Sequence, residues 1–210
     1  MRRRAQAHDL RTQSDQAVVL VGRAMMQRDV NAHDGLAEFR STVHLASDMP
    51  ASNVLSRPMT NLFDLSGKVA LVTGGSRGLG YQMVKAFAQH GADVFITSRK
   101  QEACEKVAAE VRTMGRKAVA HACNVANWNE LEGLVEAAYR AFGRIDILVN
   151  NAGSSPLAPS SLETPEALFD RIVSLNFKGP FRLMSLVGSR MAAGAGGSII
   201  NISSAGALRP

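Results

Sequence analysis

From Lys68 onward, short apolar runs alternate with longer stretches of helical periodicity. Residues 69–72, 94–97, 118–123, 145–149 and 198–202 are short, mostly apolar runs, most of them containing several β-branched side chains, which predicts strands. Between them, residues 79–90, 101–114 and 128–142 carry apolar positions at helical spacing. Each is followed by a glycine (Gly91, Gly115, Gly143), the residue that most readily ends a helix. Thr164-Pro165-Glu166 opens a further helical region, residues 164–193, before the last strand. Near-continuous apolar strands separated by helices predict parallel strands covered on both faces. Right-handed crossovers then give an α/β fold with a doubly wound parallel sheet.

Residues 1–58 have a different character. They hold eight arginines and no lysine, lack sustained periodicity, and end in a polar, proline-containing stretch. The expectation is a disordered extension, or an upstream segment that a mistaken start has joined to a domain spanning residues 59–210. A short docking segment is the other reading. The MRRR start resembles the head of a signal peptide, but the apolar run at residues 17–21 is too short for its core. Six acids in this stretch, from Asp9 to Asp48, argue against a mitochondrial leader. No run approaches the ~18 apolar residues of a membrane span, so the cytoplasm is the expected compartment.

The net charge of +6 raises nucleic acid or an anionic membrane as partners. Basic residues are interleaved with acids along the whole chain, however, so neither is expected. Cys104 and Cys123 lack metal or redox spacing and read as buried free thiols. The five histidines are scattered, and no metal site is expected.

Three motifs follow three of the strands. TGGSRGLG (Thr73–Gly80) has glycines at 74, 78 and 80. Such a turn lets the backbone approach a pyrophosphate, while the next helix aims its N-terminal amides at the anion. The bland alternative is a tight βα turn that binds nothing. A P-loop is excluded, because no Gly-Lys-Ser/Thr follows. Ser98 and Arg99 end the second strand, where an acid would hold the ribose 2′-hydroxyl of NAD. Without that acid a 2′-phosphate is not repelled, and Arg99 can contact it through several donors. A unit charge pair at ~4 Å is worth about 4 kcal/mol at an effective dielectric near 20. Even ~1.4 kcal/mol makes a tenfold preference, so NADP(H) is expected over NAD(H). NNAG (Asn150–Gly153) and NISS (Asn201–Ser204) end two further strands.

In this order the motifs resemble the short-chain dehydrogenase/reductase family, whose members pass a hydride between a nicotinamide cofactor and a carbonyl or alcohol. The resemblance covers residues 59–210 and implies a Rossmann fold that is incomplete at its C-terminal end. It implies cofactor contacts from Gly74, Ser76, Arg77, Gly78, Leu79 and Gly80, from Ser98 and Arg99, from Asn124 and Val125, and from Asn151, Ala152 and Gly153. Asn124 stands where the family often has aspartate and keeps an acceptor oxygen. Asn176 in SLNFKGP (residues 174–180) sits where the resemblance implies a helix kink that exposes a carbonyl to a proton relay. Ser204 matches the catalytic serine, with Ser203 the competing candidate, and Gly206 follows one residue sooner than the family pattern.

The family's Tyr-x-x-x-Lys pair falls past Pro210, so the chain as written is expected to show no turnover. Its last strand is expected to be an uncovered, aggregation-prone edge. Tyr81-Gln-Met-Val-Lys85 has the same spacing but precedes the serine and follows the phosphate turn, so it reads as a decoy. For the complete protein the resemblance implies NADP(H)-dependent interconversion of a ketone and a secondary alcohol, with loose similarity to 3-oxoacyl and gluconate-type members. A homodimer or homotetramer is implied as well. The alternative is a non-catalytic dinucleotide sensor or scaffold, which a complete downstream sequence would separate from the enzyme.

Overall fold

Val69–Thr73 (β2) is buried at every position, as a strand flanked by neighbours and covered on both faces must be. The structure is a computed structural model that describes residues 19–22 and 61–204. In chain order its elements are β1 (Val19–Gly22), β2, α1 (Gly78–Gln89), β3 (Asp93–Ser98), α2 (Gln101–Thr113) and β4 (Ala118–Ala122). A 3-10 turn (Trp128–Glu130), α3 (Leu131–Phe142) and β5 (Ile147–Asn150) follow. Then come α4 (Glu166–Val173), a π-helical turn (Ser174–Lys178), α5 (Gly179–Ala193) and β6 (Ser198–Ile202).

The strands form one sheet in the order β1-β6-β5-β2-β3-β4. β2 through β6 run parallel, and β1 lies antiparallel on the outer edge of β6, from Val19 opposite Ile202 to Gly22 opposite Ile199. Successive strand residues face opposite sides, so two cores form. Ala70, Val72, Val94, Ile96 and Val149 pack with Val84 of α1 and Val107 and Val111 of α2. Leu71, Phe95 and Leu148 pack with Leu131, Leu134 and Val135 of α3 and Leu183 and Val187 of α5. Each of these valine, leucine, isoleucine and phenylalanine side chains, fully buried, contributes about 1.5–3 kcal/mol.

Three boundaries differ from the periodicity. The strand expected at 145–149 starts at Ile147, because Asp146 is spent on a side-chain bond to the Val69 amide. The helix expected at 128–142 opens with the 3-10 turn, in which Asn127 accepts from the Asn129 amide. The region expected at 164–193 is two α-helices joined through the π turn. The edge of β6, expected to be bare, is paired by β1. Residues 1–18 and 23–60, most of the expected extension, lie outside the described residues, as do Gly206 and the rest of 205–210.

Candidate functional site

Five parallel strands deliver the loops that follow them to one end of the sheet. Of the site residues expected from sequence, Gly78, Leu79 and Gly80 form the first turn of α1, Asn176 lies in the π turn, and the rest lie at such a strand end or in such a loop. Thr73, the last residue of β2, is 2% exposed and ties two of these loops together. Its Oγ1 donates to the Val149 carbonyl at 3.2 Å and accepts from the amides of Asn151 (3.0 Å) and Ala152 (3.1 Å). Asn151 returns the link, its Nδ2 donating to the Thr73 carbonyl at 2.9 Å and the Gly74 carbonyl at 3.3 Å. The amide side chain of Asn151 therefore clasps the glycine turn, leaving its backbone and those of Ala152 and Gly153 to border the space above.

The glycines have distinct jobs. Gly74 has φ +65°, and a Cβ there would meet Asn151 Nδ2 at 2.9 Å. A Cβ on Gly80 would lie 2.3 Å from the Gly74 carbonyl oxygen, so the first turn of α1 packs directly on the loop. Gly78 has φ +56° with nothing within 4 Å of its Cβ position; it supplies a left-handed turn beside open space. α1 starts there without a side-chain cap and with no acid in its first turn. Its N-terminal amides are thus available to an anion. Arg77 and Leu79 are exposed, Ser76 is half-buried, and Arg77 makes no ion pair among the described residues.

Ser98 and Arg99 end β3 beside this turn, since β3 pairs with β2 and the Gly75 amide donates to the Thr97 carbonyl. Arg99 is exposed and unpaired among the described residues, while Ser98 Oγ lies 3.0 Å from Cys104 Sγ. After β4, the Asn124 Oδ1 accepts from the Ala126 amide at 3.3 Å, and the Asn124 amide donates to Glu130 at 2.8 Å. That bond, followed by one from the Asn127 side chain, holds the Glu130 carboxyl below its usual range. Val125 is buried, and its carbonyl sits 2.2 Å from where a Cβ on Gly179 would be.

Asn176 lies in the π turn and exchanges two bonds with the Ser154 backbone, accepting from the amide at 3.1 Å and donating to the carbonyl at 2.8 Å. The helix interruption is thereby fastened to the loop after β5. Ser203 and Ser204 follow β6, the strand beside β5; Ser203 is half-buried and Ser204 exposed. Tyr81 and Lys85 are not part of this constellation: the Tyr81 hydroxyl donates to Glu110 of α2 at 2.7 Å. Among the described residues no cluster of His, Cys, Asp or Glu could hold a metal ion, and no helix is long and apolar enough to cross a membrane.

Sequence reasoning passed over Thr73, Glu130 and the Asn150–Asn201 side-chain bond (2.9 Å) that links β5 to β6. A polar residue closing an apolar strand was the available signal for Thr73 and Asn150, and a polar residue within one for Asn201. Glu130 offered none, being one of several acids in the stretch read from sequence as a helix, where the structure has a 3-10 turn.

The uncapped helix start, the open space over Gly78 and the two unpaired arginines fit a phosphate-bearing dinucleotide. Residues 68–210 match the family model described as short chain dehydrogenase. Dehydrogenase/reductase SDR family member 4 of Bos taurus is 36% identical over 146 residues, 70% of this chain and 52% of that protein. The D-threitol dehydrogenase of Mycolicibacterium smegmatis is 39% identical over 145 residues, 68% of this chain and 54% of that protein. A metagenomic short-chain oxidoreductase crystallised in complex with NADP superimposes with a TM-score of 0.63 at 34% identity, covering 65% of this chain and 62% of that one. The chain spans about half the length of the curated relatives it matches.

Proposed function

The chain belongs to the short-chain dehydrogenase family, and from that premise we propose that it carries the cofactor half of an NADP(H)-dependent oxidoreductase interconverting a ketone and a secondary alcohol. The family consists of oxidoreductases that bind nicotinamide dinucleotides. The NADP preference rests on a single observation: β3 ends at Ser98 and is followed by Arg99, exposed and unpaired among the described residues, with no acid at either position. A carboxylate there would accept from a ribose hydroxyl and repel a phosphate; a hydroxyl beside a guanidinium does the reverse. The relative crystallised with NADP supports the same choice.

In this reading the turn from Gly74 to Gly80, with Ser76 and Leu79, cradles the pyrophosphate, and Arg77 adds positive charge. Asn124 and Val125 border the adenine, and Asn151, Ala152 and Gly153 the ribose on the nicotinamide side. The cofactor, when bound, supplies or accepts the hydride. Ser204 hydrogen-bonds the substrate oxygen, and Asn176 holds the π turn in register with the loop after β5. The substrate class is a 3-oxoacyl or sugar-acid type compound, and a relative named for D-threitol supports an alcohol of that general kind. The complete protein is a homodimer or homotetramer.

Calorimetric titration tests the reading. NADP+ is expected to bind at least tenfold more tightly than NAD+, and Arg99→Ala to remove about tenfold of that margin. Tighter binding of NAD+, with indifference to Arg99, would sink the assignment.

A further inference from the structure

Cys104 takes no part in the site described so far, yet among the described residues its sulfur is the only side-chain partner of Ser98. Cys104 lies in the first part of α2, is 0% exposed, and its Sγ stands 3.0 Å from Ser98 Oγ, the distance of a hydrogen bond in which either atom can donate. A serine hydroxyl has one proton and two lone pairs. Where the thiol donates, the Ser98 proton is left free to donate to another group. Where the hydroxyl donates to sulfur, only its lone pairs remain outward. At neutral pH a phosphate monoester is mainly a dianion that accepts hydrogen bonds, so the first arrangement is the one in which Ser98 favours binding it.

We propose that Cys104 is a positioning residue for cofactor choice: its buried S–H turns the Ser98 hydroxyl outward as a donor to the 2′-phosphate of NADP(H). The inference rests on the NADP reading above. Burial holds the Cys104 thiol above its ordinary range, so its proton stays in place at neutral pH. Cys104 is fully buried, so the thiol acts on a ligand through Ser98 and not by direct contact.

The test is titration calorimetry on the full chain with NADP+, NAD+ and adenosine 2′,5′-bisphosphate. Cys104→Val keeps the packing and removes the S–H; Cys104→Ser restores a donor. Cys104→Val is expected to weaken NADP+ and the bisphosphate about three- to tenfold while leaving NAD+ within about twofold. Cys104→Ser is expected to return NADP+ to near the wild-type value, and Cys104→Val is expected to add nothing in a Ser98→Ala background. A structural role alone would weaken both dinucleotides together, and Cys104→Ser would not selectively rescue NADP+; either result overturns the inference. If the wild type prefers NADP+ and depends on Arg99, yet Cys104→Val changes nothing, the inference falls alone. If the wild type binds neither dinucleotide, or prefers NAD+, the NADP reading falls and this inference with it.

Discussion

Asp146 is 7% exposed and accepts from the Val69 amide at 3.0 Å, so the first residue of β2 is anchored by a side chain from just before β5. Arg144 Nε (2.8 Å) and Lys68 Nζ (3.6 Å) also reach this carboxylate, but both cations are about half exposed and add little. Asp146→Ala strands a buried amide and is expected to cost about 1–3 kcal/mol. In a chain of this size that lowers the melting temperature by about 2–4 °C per kcal/mol, while Asp146→Asn, which keeps an acceptor, should lose less. An unchanged melting temperature in Asp146→Ala would contradict the account. Burial, reinforced by the Glu130 carboxylate, pushes the Cys123 thiol from 9.0 up to about 12. The folded chain thus holds this proton more tightly than the unfolded chain. The resulting stability is complete below about pH 9 and lost as pH rises from 9 towards 12. Thermal melts between pH 8 and 10.5 should therefore decline, and Cys123→Ala should flatten part of the slope.

Among the elements, α5 is the one whose position the site depends on most closely. Gly179 opens it, and the absent Cβ lets the helix come against the Val125 carbonyl in the loop after β4. Just before it, the π turn absorbs one extra residue, with the Gly179 amide donating back to the Ser174 carbonyl. π turns of this kind interrupt helices where a side chain must be aimed elsewhere; here Asn176 is turned onto Ser154. Gly179→Ala would place a Cβ 2.2 Å from an oxygen, and either the helix or the loop must yield. The expected cost is about 1–3 kcal/mol, visible in a denaturant titration, together with faster amide exchange at Val125 and Ala126. Full stability with unchanged exchange would show that the contact is not tight. Gly188 offers a control within the same helix, since its nearest neighbour is a flexible Ile199 side-chain atom at 3.4 Å.

At the scale of the molecule the sheet has two unlike edges. β4 borders α2, whose Arg112 donates to the Ala118 carbonyl through both Nε (3.1 Å) and Nη2 (2.9 Å). β6 is bordered by β1, drawn from well upstream in sequence. An antiparallel neighbour satisfies the edge amides and carbonyls that would otherwise template pairing with another chain. Deleting residues 1–58 removes that neighbour and is expected to raise the aggregated fraction in size-exclusion chromatography at a given concentration. An equally monodisperse deletion product would mean that β1 does not protect the edge.

From Lys68 onward the apolar runs and glycine punctuation by themselves determined the order of strands and helices, most boundaries to within a residue or two, and which loops carry the glycine, Ser98-Arg99 and NNAG motifs; β1 was not legible in this way. That information is local, because each side chain's burial is written in its own polarity and spacing. Only the folded chain decided the contacts that close over long separations: Asp146 on Val69, 77 residues away, and Asn151 on Thr73, 78 away. It also decided the seating of β1 on β6, the fastening of Asn176 to Ser154 and the meeting of Ser98 with Cys104. A polar side chain's partner depends on which elements become neighbours. No periodicity along a single strand or helix encodes that choice.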